Sequence, residues 1–163
     1  MSGTTTTFEA RVETCPPRRV AYMRHVGPYQ SVGPTFQKMM AFAGRHGLFG
    51  PGTVVMGVCW DDPSNTPTEK LRYDCCVTVG EDFKPVEDVG VETIEGGEYA
   101  VARLRGPYEK LGELYNWLYG TWLPTSGRQE RHGPTYEVYR NSPADTAPEN
   151  LITEIYVPLK PKV

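Results

Sequence analysis

The sequence is poor in features that would place the protein in a membrane, outside the cell or on a nucleic acid. No apolar run approaches the roughly 18 residues that a membrane-spanning helix needs. Residues 1–7 contain neither the basic nor the apolar segment of a secretion signal, so we expect a cytoplasmic protein. Basic residues are not in excess, because 17 Lys and Arg stand against 20 Asp and Glu. We therefore expect no membrane partner and no direct nucleic-acid binding.

Spacings typical of metal sites and redox motifs are also missing. The three histidines lie far apart, and the four cysteines form no pair of the kind that holds zinc or exchanges disulfides. We therefore expect no metal and no cofactor. Cys75 and Cys76 are adjacent and would point to opposite faces of a strand. Cys59 and Cys76 are interpreted as small, half-buried apolar residues.

The main feature that the sequence does contain is an internal repeat. Residues 12–33 and residues 91–112 share Val-Glu-Thr, Ala, Arg, Gly-Pro-Tyr and Gly at a constant distance of 79 residues. The later matches are Cys59-Trp60-Asp61 with Val138-Tyr139-Arg140 and, one inserted residue later, Leu71-Arg72-Tyr73-Asp74 with Leu151-Ile152-Thr153-Glu154. A repeat of this length indicates one supersecondary unit used twice, with a pseudo-twofold axis. The seam between the two copies is where a concave site would form.

Each copy predicts the order strand, helix, strand, strand. Alternating residues and Gly-Pro turns mark the strands, and apolar residues three or four apart mark the helices. The predicted elements are a strand at 18–25, a helix over 32–43 and strands at 53–60 and 71–79, then a strand at 99–104, a helix from 111 that ends at Pro124, and strands at 135–140 and 151–159. The fold class is α+β, an antiparallel sheet with both helices on one face. We expect a single domain over 8–160, with repeat one at 8–80, a linker at 81–90 and repeat two at 91–160.

Several longer motifs extend the pattern. They are Tyr115-Asn116-Trp117-Leu118, Trp122-Leu123-Pro124-Thr125-Ser126-Gly127, Tyr136-Glu137-Val138-Tyr139 and Thr153-Glu154-Ile155-Tyr156-Val157-Pro158-Leu159. Together with Gly-Pro-Tyr before each helix, they resemble the GyrI-like small-molecule-binding domain. Arg72-Tyr73-Asp74-Cys75-Cys76-Val77 resembles the stand-alone members called DNA gyrase inhibitors. The resemblance covers about residues 8–160.

This resemblance implies a concave surface between the two units that holds an amphipathic, often cationic, aromatic compound. It also implies a relation to the effector-binding domains of AraC-type and MerR-type regulators. The sequence has no room before residue 8 or after residue 160 for a helix-turn-helix domain, so a DNA-binding regulator is not expected.

Strand alternation selects candidates for that concave surface. The face of strand 151–159 that contains Ile155 and Val157 is expected to pack on the helices, so the other face points to the concave side. The repeat alignment, which pairs Trp60 with Tyr139, extends this side to the neighbouring strands. Another candidate lies off the apolar stripe of the second helix. The ligand-binding candidates are Trp60, Asp74, Trp117, Glu137, Tyr139, Glu154 and Tyr156.

Three functions stay open. The favoured one is a ligand-binding protein that captures amphipathic, aromatic or cationic molecules, with a role in toxin or drug resistance. The second is a hydrolase in which Glu154, or else Glu137, activates water against a strained, cyclopropane-bearing alkylator. The third is an inhibitor that binds DNA gyrase as a protein partner. Plainer interpretations also stand: strand glutamates can lie on a solvated face, and the helix aromatics Tyr115, Tyr119 and Trp122 can serve as core packing.

Overall fold

One eight-stranded antiparallel sheet dominates the computed structural model, which describes residues 8–162. The strands are β1 Ala10–Cys15, β2 Arg18–Val26, β3 Val55–Cys59, β4 Arg72–Thr78, β5 Gly90–Ile94, β6 Gly97–Arg105, β7 Thr135–Tyr139 and β8 Ile152–Pro158. The helices are α1 Gly33–Arg45, α2 Leu111–Trp117 and α3 Leu123–Ser126, with a π-helical turn Leu118–Trp122 between the last two. The predicted α+β class is confirmed. The chain start, on which the expectation about export rests, lies outside the described residues.

The strand order is β1-β6-β8-β7-β3-β4-β2-β5, and every neighbouring pair is antiparallel. Exchanging each strand for its equivalent in the other half only reverses this order. That is the order a pseudo-twofold axis between β3 and β7 requires; the axis itself stays a prediction. Gly57 of β3 pairs directly with Glu137 of β7 at this junction.

The two edge strands were not predicted, and they connect the halves. β1 pairs with β6 of the second half, and β5 pairs with β2 of the first. Both are short, and Val12 in β1 is exposed, so neither shows the apolar alternation by which a strand is recognised. The first strand of each copy therefore pairs with the other half of the sheet and not with its own helix-containing unit.

Each helix packs its apolar stripe against the sheet. Pro34 lies in the first turn of α1, and Met39, Phe42 and Ala43 are its buried face. The second helix continues through Pro124 to Ser126, so the expectation that it ends at the proline is wrong. Proline is tolerated in the first turn of a helical segment, and the π-helical turn directly before it restarts the hydrogen-bond pattern. No helix within residues 8–162 is long and apolar enough to cross a membrane.

Both faces of the sheet carry a core. On the helix side, Ile155 and Val157 pack with Leu114 and Leu118, which confirms the predicted orientation of β8. On the other side the sheet curls, and residues of both halves form a further cluster in which the rings of Tyr136 and Tyr156 stack. Cys75 belongs to a helix-side cluster and Cys76 to the opposite one, as strand alternation predicts.

Candidate functional site

A groove of about 2410 Å³ lies on the helix side of the sheet, between α1 and α2. It forms there because each helix packs on its own half of the sheet and leaves the central strands β3 and β7 uncovered. The polar hairpin segments 61–66 and 140–145 border its opening. An aromatic-lined cleft of this kind, where two half-domains meet, is a common place for a small-molecule site.

Glu137 lies on the floor of this groove. Strand alternation in β7 directs Thr135, Glu137 and Tyr139 into the groove and sends Tyr136 and Val138 into the opposite core. Only 7% of Glu137 is exposed, so its carboxyl group is largely removed from water. A carboxylate so placed needs strong partners, because burial disfavours its charged form.

Tyrosine hydroxyls supply those partners. The Tyr115 hydroxyl donates to Glu137 Oε2 at 2.5 Å, and the Tyr139 hydroxyl donates to Oε1. The Tyr73 and Tyr139 hydroxyl oxygens are in turn 2.5 Å apart. Burial raises the pKa of Glu137, and the hydrogen bonds from the two tyrosines offset this only in part. Within residues 8–162, no Lys, Arg or His forms an ion pair with Glu137.

Gly57 makes this arrangement possible. It faces Glu137 across the β3–β7 junction, and the Tyr73 ring lies over the space where a side chain would be. A Cβ atom at this position would overlap the Tyr73 Oη and Cζ atoms and would lie 3.0 Å from Tyr139 Oη. A glycine inside a strand often marks such a close approach.

Aromatic rings surround the polar network. The Phe36 ring meets Tyr73 and Tyr139 edge-on, with ring centroids 5.8 Å and 5.6 Å apart. Tyr29 meets Tyr73, and Tyr108 meets Tyr139, in the same way. Aromatic faces in this position can stack on planar ligands and attract cations. The geometry is that of a ligand pocket with one buried acid at its centre.

Sequence comparison assigns the chain to a family. The GyrI-like small molecule binding domain matches residues 8–160. This chain belongs to that family. The GyrI-like domain here is 34% identical over 149 residues to the DNA gyrase inhibitor of Escherichia fergusonii, which covers 89% of this chain and 94% of that protein.

Other relatives carry different names. The probable transcriptional regulator YgiV of Escherichia coli K12 is 38% identical over 105 residues, or 63% of this chain, and the match spans slightly less than two thirds (65%) of YgiV. Among solved structures, SAV2435 bound to tetraphenylphosphonium has a TM-score of 0.65 at 17% identity, and the match covers 93% of this chain and 94% of that one. At that identity the likeness shows a shared fold.

The structure divides the predicted site residues of this GyrI-like domain between two faces. Glu137 and Tyr139 lie in the groove. Trp60 lies at its border, but its indole N–H donates to Asp74 Oδ2 at 2.7 Å and its ring packs on the opposite-face cluster. The residues found elsewhere are Asp74, Glu154 and Tyr156 on the opposite face of the sheet, and Trp117, which packs against Phe8 with ring centroids 5.8 Å apart. The expectation that all the strand residues share one concave face, the one away from the helices, is therefore wrong, because the groove lies on the helix side and holds Glu137 and Tyr139 alone of the strand candidates.

The error comes from a shift of one residue in the repeat alignment. The β3–β7 register makes Val55–Cys59 equivalent to Thr135–Tyr139, a distance of 80 residues, so the inserted residue lies before β7 and not after it. A shift of one residue turns every side chain of a strand to the other face. The equivalent of Glu137 is Gly57, not Val58, and the equivalent of Trp60 is Arg140.

Glu154 has a different environment from Glu137. It is 1% exposed, and its carboxylate lies 2.6 Å from an Arg140 nitrogen, 3.1 Å from an Arg103 nitrogen and 3.7 Å from an Arg11 nitrogen. Burial raises its pKa, but the hydrogen bonds and charges of Arg140 and Arg103 outweigh that effect, and the net pKa is lowered. Asp74 is similarly held by Arg24, at 2.8 Å. These acids are ion-pair partners on the face away from the groove.

Sequence reasoning missed several residues that build the groove. Tyr115 was interpreted as core packing, and Tyr29, Tyr73 and Tyr108 were not among the candidates; all four line the groove. One signal was present in the sequence. Tyr115 aligns with Phe36 of the first copy. The second helix therefore carries a hydroxyl that the first helix lacks, in the same copy as the carboxylate of Glu137.

Proposed function

We propose that the groove binds amphipathic, aromatic cations and holds their positive centre at Glu137. The observation that carries this proposal is the state of that carboxyl group. It is buried, it accepts hydrogen bonds from Tyr115 and Tyr139, and no cationic side chain among residues 8–162 pairs with it. A ligand cation would supply the missing countercharge, as Arg140 and Arg103 do for Glu154.

The groove walls favour the same class of ligand. A cation over an aromatic face gains about 0.5–2 kcal/mol, more when water is excluded. Phe36, Tyr108 and Tyr139 present such faces around the carboxylate. An anionic ligand would instead meet the uncompensated charge of Glu137 in a site of low polarity, and its binding would be opposed.

The solved relative with bound tetraphenylphosphonium supports this ligand class, since its ligand is a lipophilic aromatic cation. Capture of such compounds would protect a cell from toxic cations, and this is the biological role that we propose. The family description, a small-molecule binding domain, agrees with a binding role.

Calorimetric titration with a matched pair of ligands tests the proposal. The cation 10-methylacridinium and the neutral 9-methylacridine, used at a pH where it is uncharged, have nearly the same shape. Glu137→Gln should weaken binding of the cation by about 10-fold to 100-fold, because a charge-assisted interaction of about 1.5–3 kcal/mol is lost. Binding of the neutral ligand should change by less than about threefold.

Glu154→Gln is the matched control, because it removes a buried carboxylate on the opposite face. It should leave both ligands unaffected. Equal losses for the cation and the neutral ligand in Glu137→Gln, or no binding of either ligand by the unaltered protein, would contradict the proposal.

A hydrolase is the second candidate, and one observation favours it. The carboxyl group with the raised pKa lies beside the Tyr139 hydroxyl, so a proton acceptor and a proton donor share one groove. A general base contributes about 10²-fold to 10⁴-fold to a rate. Multiple turnovers of a cyclopropane-bearing alkylator, lost in Glu137→Gln and kept in Glu154→Gln, would establish this activity. If the protein only sequesters the alkylator stoichiometrically and no ring-opened product forms, it is a binding protein and not a hydrolase.

A further inference from the structure

The two walls of the groove differ in polarity at four equivalent positions near Glu137. Equivalent positions lie 79 residues apart on the helices and 80 residues apart on β3 and β7. The first-copy residues are Phe36, Met40, Val55 and Gly57, and their second-copy equivalents are Tyr115, Tyr119, Thr135 and Glu137; all eight are in or beside the groove. At each of the four positions the first copy is apolar and the second is polar.

The polar residues form a connected wall. The Tyr119 hydroxyl donates to Glu130 Oε2 at 2.9 Å and lies 3.0 Å from Thr135 Oγ1, and the Tyr115 hydroxyl donates to Glu137. The first copy contributes one hydroxyl to the hydrogen bonds around Glu137, that of Tyr73, which reaches across the junction to Tyr139. Around Glu137 the groove is therefore apolar at Phe36, Met40 and Val55 and hydrogen-bonding on the facing wall. Farther along the helices, equivalent lining residues such as Gln37 and Asn116 are alike in polarity.

The buried carboxyl group of Glu137 has no equivalent on the apolar side of the groove. Gly57 occupies the equivalent position, and the Tyr73 ring fills the space that a side chain there would need. Asp62 and Asp145 near the opening are exposed to water, and Asp61, which is less exposed, is already paired with Arg72 at 2.8 Å. Exposed charges of this kind contribute little to binding. A bound cation thus has one desolvated partner, and it lies on the second-copy side.

We infer that ligands bind in one orientation, with the cationic head at Glu137 and the apolar body lying across β3 onto Phe36, Met40 and Val55. This makes Phe36 and Met40 the residues that select ligands by the length of their apolar part. The ligand class is an amphipathic cation whose apolar portion extends to one side of the charge. The inference rests on the proposed function and deepens it.

A homologous series of N-alkylpyridinium cations, from butyl to decyl, tests the orientation by calorimetry. In the unaltered protein, Kd should fall by up to about fourfold for each added methylene, until the apolar wall is covered. Met40→Ala should flatten this gain, because it removes the wall that the tail covers. Met40→Gln retains the length of the side chain and should flatten the gain as well, so a packing defect does not explain the result.

Tyr119→Ala is the control, since Tyr119 is the equivalent of Met40 on the opposite wall and does not contact Glu137. It should leave the gain per methylene unchanged. Glu137→Gln should weaken the whole series by one common factor and keep the gain. The orientation would be overturned if Tyr119→Ala reduced the gain in affinity per methylene and Met40→Ala did not. It would also be overturned if both variants reduced the gain equally.

The proposed function and the orientation fail in different ways. If the series binds the unaltered protein and Glu137→Gln does not change the Kd values, the role of the carboxylate is refuted, whatever the dependence of Kd on tail length. If Glu137→Gln weakens binding of every homologue by the same factor, but neither Met40→Ala nor Met40→Gln changes the gain in affinity per methylene, only the orientation is refuted. Absence of binding by every homologue would refute both.

Discussion

Gly57→Ala is expected to be one of the most damaging single-methyl additions to this protein. Gly57 lies at the junction of the two halves, directly opposite Glu137. The new Cβ would overlap the Tyr73 Oη and Cζ atoms, and the main chain of a central strand cannot move away without breaking its pairing with both neighbours. The Tyr73 ring must therefore move, and its hydroxyl must leave Tyr139.

The size of the effect follows from these two losses. Overfilling a packed interior costs about 1–3 kcal/mol. Losing the buried hydrogen bond between Tyr73 and Tyr139 adds about 1 kcal/mol. The free energy of unfolding should thus fall by about 2–4 kcal/mol. For a domain of this length, that lowers Tm by about 5–15 °C.

Urea unfolding and thermal melting, each followed by circular dichroism, measure the change. Gly44→Ala is a matched control, because Gly44 lies in α1 and a Cβ there meets no atom within 4 Å. Replacing a helical glycine by alanine should raise stability by about 0.5–1 kcal/mol. The same chemical change should therefore have opposite signs at the two sites.

A double-mutant cycle identifies the cause. In a Tyr73→Ala background the obstructing ring is absent, so adding Gly57→Ala should cost less than about 1 kcal/mol. If Gly57→Ala were neutral in the unaltered protein, or equally costly with and without the Tyr73 ring, the close packing over Gly57 would not explain the need for glycine.

Glu154→Gln should lower the free energy of unfolding at neutral pH by about 1–3 kcal/mol, because Arg103 and Arg140 lose a buried charge partner but stay partly solvated. The pKa of Glu154 is lowered in the folded protein, so urea unfolding should show this difference disappearing as pH falls below the ordinary value of 4.5. Burial and the neighbouring Asp74 raise the pKa of Glu92 to about 8, so folding takes up a proton and stability is lost as pH rises from 4.5 to about 8. Glu92→Gln should flatten that part of the stability profile, and an unchanged slope would contradict this assignment. A fragment of residues 1–85 should give no sharp unfolding transition as a monomer, because β1 and β3 lose their partners β6 and β7; cooperative melting of a monomeric fragment would refute this, whereas a self-paired dimer would not.

The α+β class and most of the elements could be predicted because their signals are local. The helical spacing around Phe36 and Met40, the alternation in 151–159 and the Gly-Pro turns each act over a few residues. The same local alternation correctly placed Ile155 and Val157 against the helices. The β1 and β5 strands carry no such signal, since an edge strand is defined by the partner it finds and not by its own apolar pattern.

For the candidate site, the sequence by itself determined that Glu137 and Tyr139 lie on one face of a strand beside the seam of a repeated unit. Only the tertiary structure decided which other residues join them. The β3–β7 register brings Gly57 opposite Glu137, and packing of α2 brings the Tyr115 hydroxyl onto its carboxylate. Register is a property of two strands in contact, and a shift of one residue exchanges the faces. That is why Glu154, the same residue type and also buried, belongs to an arginine cluster on the far side of the sheet, while Glu137 faces the groove.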